Sequence, residues 1–263
     1  MTELRAEGAA GWEAIADGWT HLMRTGTGGV AESRRLVLDP AHLTALGDVT
    51  DRRVLDAGCG EGRFARMLAE RGANVTAFDL AETMITNARN AEEETPLGID
   101  YRVMDMADLG DFDDATFDLA IAYLSIIDVL DYEKAIAEIA RVLRPGGAFH
   151  FSVVHPCHAP PNSSWEPRTP GTFPVFDRDK LYKKIDNYYP ARELRFRMWP
   201  TAPAETLNYH RPLSDYAHTL RAAGLQITDI HEPYPAEEEM TQRDYLREHY
   251  RVPFFMLIEA VKP

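Results

Sequence analysis

The stretch Asp56-Ala57-Gly58-Cys59-Gly60-Glu61-Gly62 carries the densest chemical signal in this chain. Its glycines let a ligand approach the backbone closely, and it lies between an apolar run and a helical pattern, where open parallel sheets bind ligands. A dinucleotide fingerprint, Gly-x-Gly-x-x-Gly, needs glycine at position 63, but Arg63 stands there and the third glycine is Gly62. A pyrophosphate favours bare N–H donors at a helix start, whereas Asp56 and Glu61 add negative charge on either side of this loop. A cationic ligand therefore fits better than an anionic one. Asp79 closes the next apolar run, where a carboxylate can accept both hydroxyl donors of a ribose. The expected ligand is nucleoside-like and lacks a phosphate chain.

Two histidines are candidates for proton transfer. His155 follows an apolar run directly, and His210 lies just before a helix start at Pro212. Unperturbed imidazole titrates near about 6.5, so either can act as general base toward a hydroxyl or amine. The competing reading for each is a structural histidine satisfied by backbone. His150, His155, Cys157 and His158 cluster in sequence but lack the spacing of a closed metal site, and His150 alternates with apolar residues inside a strand, so no metal is expected.

The elements that must position these residues alternate regularly. Strands are expected at 53–58, 74–79, 99–104, 117–124 and 148–154, with helices at 62–71, 81–92 and 132–143 between them. That alternation predicts a parallel sheet covered on both faces. Arg144-Pro145-Gly146-Gly147 reads as a turn. Residues 155–205 then hold nine of the 17 prolines together with Trp165, Phe173, Phe176, Tyr188, Tyr189 and Trp199. Regular packing is not expected through most of this stretch, yet its aromatic content argues against disorder, so it reads as a structured lid over the sheet edge. A helix follows from Pro212 to Gly224, then strands at 225–231 and 253–261, suggesting an antiparallel edge. The acidic run Glu237-Glu238-Glu239 reads as solvated surface.

Composition excludes several functions. The chain has 263 residues, with 28 Lys+Arg against 42 Asp+Glu and a net charge of −14. Such a polyanion repels phosphate backbones and anionic membranes, which leaves small molecules as the expected partners. Only Cys59 and Cys157 are present, too few for a disulfide framework, which favours a reducing cytoplasm. No secretory leader and no run of about 18 apolar residues is recognisable.

The ordered pieces VLDAGCGEG, AFDL, MDMADL, FDLAIAYL and LRPGG, spread over residues 50–154, resemble class I S-adenosylmethionine-dependent methyltransferases. The resemblance implies that Asp56, Gly58 and Gly60 line the methionine part of S-adenosylmethionine and that Asp79 holds its ribose. Leu80 and Met84 would flank adenine, Asp105 and Met106 would meet the adenine edge, and Tyr123 would sit near the sulfonium. The segment Trp12 to Arg24 is loosely similar to a helix that closes over the cofactor in relatives, so Trp19 and Arg24 would touch the methionine carboxylate. Ala81 stands where many relatives carry a small hydroxyl residue, which predicts a weaker helix cap, by about 1 kcal/mol. The piece Tyr209-His210-Arg211-Pro212-Leu213-Ser214 after the lid is similar to free-standing bacterial enzymes acting on small molecules.

The expected architecture is a doubly wound, Rossmann-like α/β sheet of about seven mostly parallel strands, with an antiparallel C-terminal edge strand. Its expected divisions are an N-terminal helical cover at 1–46, a cofactor-binding core at 47–154, a lid at 155–210 and a completing segment at 211–263. The expected activity is methyl transfer to oxygen or nitrogen, with carbon as a further option, of a small apolar or aromatic acceptor. Catalysis would rest largely on holding the reactants at about 3–3.5 Å. The alternatives are a cofactor-binding scaffold with a non-methylating role and an RNA base methyltransferase. Pro156-Cys157 resembles the nucleophile of enzymes that methylate pyrimidine carbon five. Those enzymes also need a proline-cysteine pair after strand four, and Tyr123-Leu124-Ser125-Ile126-Ile127-Asp128 has none.

Overall fold

A computed structural model describes residues 3–26, 29–158, 163–174 and 176–263. The chain opens with α1 (Glu3–Thr25), α2 (Gly29–Ser33), a π turn at Arg34–Leu38 and α3 (Asp39–Leu46). The alternating core follows: β1 (Arg53–Ala57), α4 (Arg63–Ala69), β2 (Asn74–Asp79), α5 (Glu82–Glu94), β3 (Asp100–Val103), β4 (Phe117–Tyr123), a 3-10 turn at Ile126–Asp128, α6 (Tyr132–Val142) and β5 (Leu143–Val154). Next come β6 (Ser164–Pro167), β7 (Lys180–Lys184), β8 (Arg192–Phe196) and β9 (Thr206–His210). The chain ends with α7 (Leu213–Ala222), β10 (Gln226–His231), α8 (Glu237–Gln242), α9 (Leu246–Arg251) and β11 (Phe255–Val261).

Seven strands form one sheet in the order β10-β11-β5-β4-β1-β2-β3. β3, β2, β1, β4 and β5 run parallel, and β11 is antiparallel to both β5 and β10. The antiparallel C-terminal strand thus lies one position in from the edge, which β10 forms. This explains why Phe255–Ile258 are all buried while β10 is largely exposed. Successive strands build outward from β1 in one direction, and β4 then restarts on its other side. The crevice between β1 and β4 is therefore a topological switch point, where ligands bind in such sheets.

Each face of the sheet has its own core. On one face α6 buries Tyr132, Ala135, Ile136, Ile139 and Ala140, the three- and four-residue spacing of an amphipathic helix, together with Tyr216 and Leu220 of α7. On the other, Leu38, Phe64, Leu68, Ile85 and Ala88 pack against Val54, Leu119 and Ile121. α1 lies at the carboxyl ends of the strands, where Ala16, Trp19 and Met23 pack on Ala81 and Met84.

Two expectations need correction. Arg144–Gly147 does not interrupt the chain before β5: the strand is continuous from Leu143, because Gly146 N–H donates to Lys262 O (2.7 Å) and Lys262 N–H to Gly147 O (2.9 Å). Within 155–210 the structure contains regular pairing, two antiparallel ribbons, β6–β7 and β8–β9. The prolines punctuate these ribbons rather than preventing them: Pro167 ends β6, and Pro170, Pro190, Pro200 and Pro203 fall outside the strands. The run Glu237–Glu239 is indeed exposed, but as the first turn of α8, an element with no counterpart in the sequence reading.

Candidate active site

A cavity enveloping about 1170 Å³ and open to solvent lies at the switch point between β1 and β4. Of the expected ligand-contacting residues, it brings together Trp19, Asp56, Gly58, Gly60, Asp79, Leu80, Met84, Asp105, Met106 and Tyr123. All three glycines of the β1–α4 loop have positive φ, and two of them face the cavity. Gly58 has φ +75°, and a Cβ there would meet Ser125 Cβ at 2.5 Å; Gly60 has φ +57° and nothing within 4 Å, leaving its backbone open to an approaching ligand. The Asp79 carboxylate orders this loop, accepting Gly60 N–H at 2.8 Å and Ala81 N–H at 3.0 Å. Arg63, at the position that displaces the third dinucleotide glycine, makes a bidentate pair with buried Asp39 (2.6 and 2.9 Å), and Tyr123 O–H donates to the same carboxylate at 2.8 Å.

The missing hydroxyl at Ala81 is compensated from outside the helix. Ala81 offers α5 no side-chain cap, but the N–H of Thr83, which such a cap would satisfy, donates to Glu13 Oε2 of α1 at 3.2 Å. The same contact fastens α1 over the cavity. Asn87 Nδ2 strengthens it by donating to Asp17 and Thr20, each at 3.0 Å. At the other end of α1, Arg5 pairs with Asp105 and, at 3.4 Å, with Asp131.

The electrostatics are unusual for so deep a site. Neither oxygen of Asp56 finds a hydrogen-bond partner of ordinary geometry. Burial, followed by the charges of Asp79 and Glu61, pushes its pKa up to about 7, and the Ala65 N–H opposes this only weakly. Burial likewise raises Asp79 and Glu61, in Asp79 against the three backbone N–H groups of Ala81, Gly60 and Leu80. Asp128 is pushed up to about 8 by burial, although Asn208 Nδ2 donates to it at 2.9 Å. Facing these acids is Arg34, whose guanidinium carbon lies 4.7 Å from the Trp19 ring centroid and 5.5 Å from that of Tyr123, and whose Nε is buried without a partner. The cavity thus offers an orphan carboxylate and an orphan guanidinium N–H to a ligand carrying both signs of charge.

Three expected residues lie elsewhere. Arg24 does not line the cavity; its guanidinium donates to Asn87 O at 3.2 Å, and Arg34 from the π turn occupies the interior instead. His155 and His210 line a second cavity, which shares Tyr209 with the first. Both ring nitrogens of His155 are engaged, Nε2 with Glu232 at 2.9 Å and Nδ1 accepting from Cys157 N–H at 3.1 Å. Burial lowers its pKa against the opposing Glu232 hydrogen bond. His210 Nε2 lies 2.6 Å from Tyr188 O, a contact that fixes the tautomer with the lone pair on Nδ1. The face of Tyr123, expected to be open toward a ligand cation, is approached by Arg34 and Arg63.

Sequence reasoning missed Arg34, Asp128 and Tyr209. Asp128 had a usable signal, an acid a few residues past the carboxyl end of a buried strand. Arg34 had none, because its direction depends on the π turn.

Comparison with known proteins gives a consistent picture. A family model described as a methyltransferase domain matches residues 55–151. The ubiquinone biosynthesis O-methyltransferase of Xanthomonas axonopodis pv. citri is 30% identical over 206 residues, covering 77% of this chain and 76% of that protein. The same enzyme of Xanthomonas oryzae pv. oryzae is 29% identical over 206 residues, with the same shares covered. The crystal structure of an S-adenosylmethionine-dependent methyltransferase from Mesorhizobium loti superposes with a TM-score of 0.70 at 30% identity, covering 84% of this chain and 96% of that one.

Proposed function

This chain belongs to the S-adenosylmethionine-dependent methyltransferases, and from that premise we propose that it methylates an oxygen of a small, apolar or aromatic acceptor held between its two cavities. S-Adenosylmethionine, when bound, supplies an electrophilic methyl group to a nucleophile. The observation that supports its placement is the buried, partnerless Asp56 carboxyl and the buried, partnerless Nε of Arg34, in one cavity with the open Gly60 backbone. The residues present fit the group: Asp56 would take the amino end and Arg34 the carboxylate end of its methionine part. Asp79, with lone pairs left beyond its two backbone contacts, would hold the ribose hydroxyls. Half-exposed Leu80 and buried Met84 would sandwich the base, with Asp105 and Met106 at its edge. Residues 1–46 would act as cover and 155–210 as lid, since α1 and Tyr209 of β9 both wall the cavity and would exclude water from it.

The acceptor reading rests on three supports. The relatives named above are O-methyltransferases. The adjoining cavity has apolar and aromatic walls, among them Ile127, Leu194, Phe196 and Tyr216. The net charge of −14 opposes nucleic acid and anionic membranes as partners, and among the described residues no helix is long and apolar enough to cross a membrane. The unpaired Cys59 and Cys157 support a cytoplasmic setting.

For the proton of an acceptor hydroxyl we assign Asp128, which lines the same cavity as the glycine loop, where a pKa of about 8 suits a base working near neutral pH. His210, one cavity away, is the second candidate, and His155 is held by its two hydrogen bonds. The test is a screen of small phenols for release of S-adenosylhomocysteine, repeated with Asp128→Asn and His210→Ala. Asp128→Asn is expected to lower kcat about 100-fold with cofactor affinity unchanged. If His210→Ala does so and Asp128→Asn does not, the base is His210. Cofactor binding without product release from any phenol would overturn the acceptor class.

A further inference from the structure

The outer part of the sheet carries a second group of chemically competent side chains, on strands remote in sequence from the glycine loop. His150 of β5 stands opposite Glu259 of β11, and Glu259 stands opposite Asp229 of β10, so three residues form a row across three strands on one face. His231, two residues beyond Asp229, points to the same face by strand alternation. A register shift between Ile227 and Asp229 sets this alignment. The ligand atoms of Asp229, His231 and Glu259 all lie within 4.8 Å of one another. His231 Nε2 is 2.5 Å from Glu259 Oε1 and 3.7 Å from Asp229 Oδ2, and His150 Nε2 is 3.6 Å from Glu259 Oε2.

We propose that Asp229, His231 and Glu259, with His150 as fourth donor, form a site for a divalent transition-metal ion of the zinc class. Donors bound tetrahedrally at 2.0–2.1 Å stand about 3.3 Å apart, so to admit an ion the 3.6 and 3.7 Å separations would close slightly, the 2.5 Å contact of His231 with Glu259 would open, and His150 would turn toward the other three. Two carboxylates and two neutral imidazoles balance the double charge of the ion. His150 is 6% exposed, and its Nε2 faces Glu259 from 3.6 Å, just beyond hydrogen-bond reach. Arg52 is the nearby cation acting against the site, and buried His42 interacts electrostatically with His150 and His231. Imidazole donors favour zinc, cobalt or nickel over magnesium or calcium. Since β10 is an exposed edge strand, a bound ion would clamp it to β11 and β5 without touching the cofactor cavity.

The experiment titrates the full chain with Co²⁺ and follows the visible absorption of four-coordinate cobalt, then displaces it with Zn²⁺ and records the melting temperature. One saturating equivalent, displaced by Zn²⁺, and a melting temperature raised by Zn²⁺ but not by Mg²⁺ are expected. His231→Ala and Glu259→Gln should each weaken Co²⁺ binding at least about 10-fold, with far-ultraviolet circular dichroism unchanged. His21→Ala, on α1, should bind as wild type. Absence of saturable Co²⁺ binding, or binding that survives both substitutions, would overturn the proposal.

Discussion

The carboxylates around the cavity and those on segment 155–210 are the same chemical groups in opposite circumstances. Across the segment, charges meet counter-charges of the chain itself: Lys180 with Glu248, Arg251 with Asp177, Lys184 with Glu166 and Arg195 with Glu7. Around the cavity Asp56 is buried without a partner, and Asp56, Asp79, Glu61 and Asp128 are all shifted toward protonation by burial. An unpartnered buried polar group is costly, so the Asp56 carboxyl and the Arg34 Nε in one cavity support the assignment of a ligand there. These ion pairs of the insertion close within the chain, whereas the Asp56 carboxyl in the cavity finds no such partner.

The largest effect expected from this contrast is on cofactor affinity. Asp79→Ala removes the acceptor of two loop N–H groups and the assigned ribose ligand. Charged hydrogen bonds contribute about 1.5–3 kcal/mol each, so losing two at the ligand should weaken S-adenosylmethionine binding about 100-fold or more by calorimetry. Affinity equal to wild type would remove Asp79 from the site.

A middle-sized effect concerns pH. Asp56 and Asp128, at about 7 and about 8, keep protons in the folded state that the unfolded chain, at about 3.9, releases. The stability they contribute is full below about 4 and is lost as pH rises through their folded values. The melting temperature of the ligand-free protein should therefore fall from pH 5 to pH 8. Bound cofactor, by placing a cation on Asp56, should make that fall shallower, as should Asp56→Asn. Identical slopes in all three samples would show that Asp56 does not receive the cation.

The smallest effect belongs to the insertion. Arg195 and Glu7 are 41% and 45% exposed, and such pairs are worth about 0–1 kcal/mol. Arg195→Ala should move the melting temperature by less than about 4 °C and leave cofactor affinity unchanged. A tenfold loss of affinity would instead mean that the β8–β9 ribbon holds the cavity shut through α1.

Legibility in the sequence followed the range of the forces involved. β1, α4, β2, α5, β4 and α6 could be placed within a few residues, because each carries its own periodicity and its own glycine stops. The ribbons at 164–184 and 192–210 could not, since their pairing is set by partners up to about 20 residues away and by prolines that mark turns as readily as they break strands. At the site, Asp56, Gly58, Gly60 and Asp79 were legible because a loop between a strand and a helix fixes their positions locally. Arg24 read as the cationic ligand because it shares a helix with Trp19, but that helix presents Trp19 to the cavity and Arg24 to Asn87. His155 was read as following a strand and His210 as preceding a helix, yet which of two neighbouring cavities they line is decided by how β9 folds back.

By itself the sequence determined the parallel sheet, its glycine loop and the acidic anchors, because alternation of apolar runs and the conformational freedom of glycine act over a few neighbouring residues. Only the tertiary structure decided that Arg34 faces Asp56's cavity from a π turn, that Glu13 of α1 supplies the cap Ala81 lacks, and that Asp128 shares a cavity with a loop some 70 residues earlier in the chain. It also decided that His150, Asp229, His231 and Glu259 meet on one sheet face. Each of these depends on strand order, register and the burial that shifts a carboxyl group, and none of those is set by sequence-neighbouring residues.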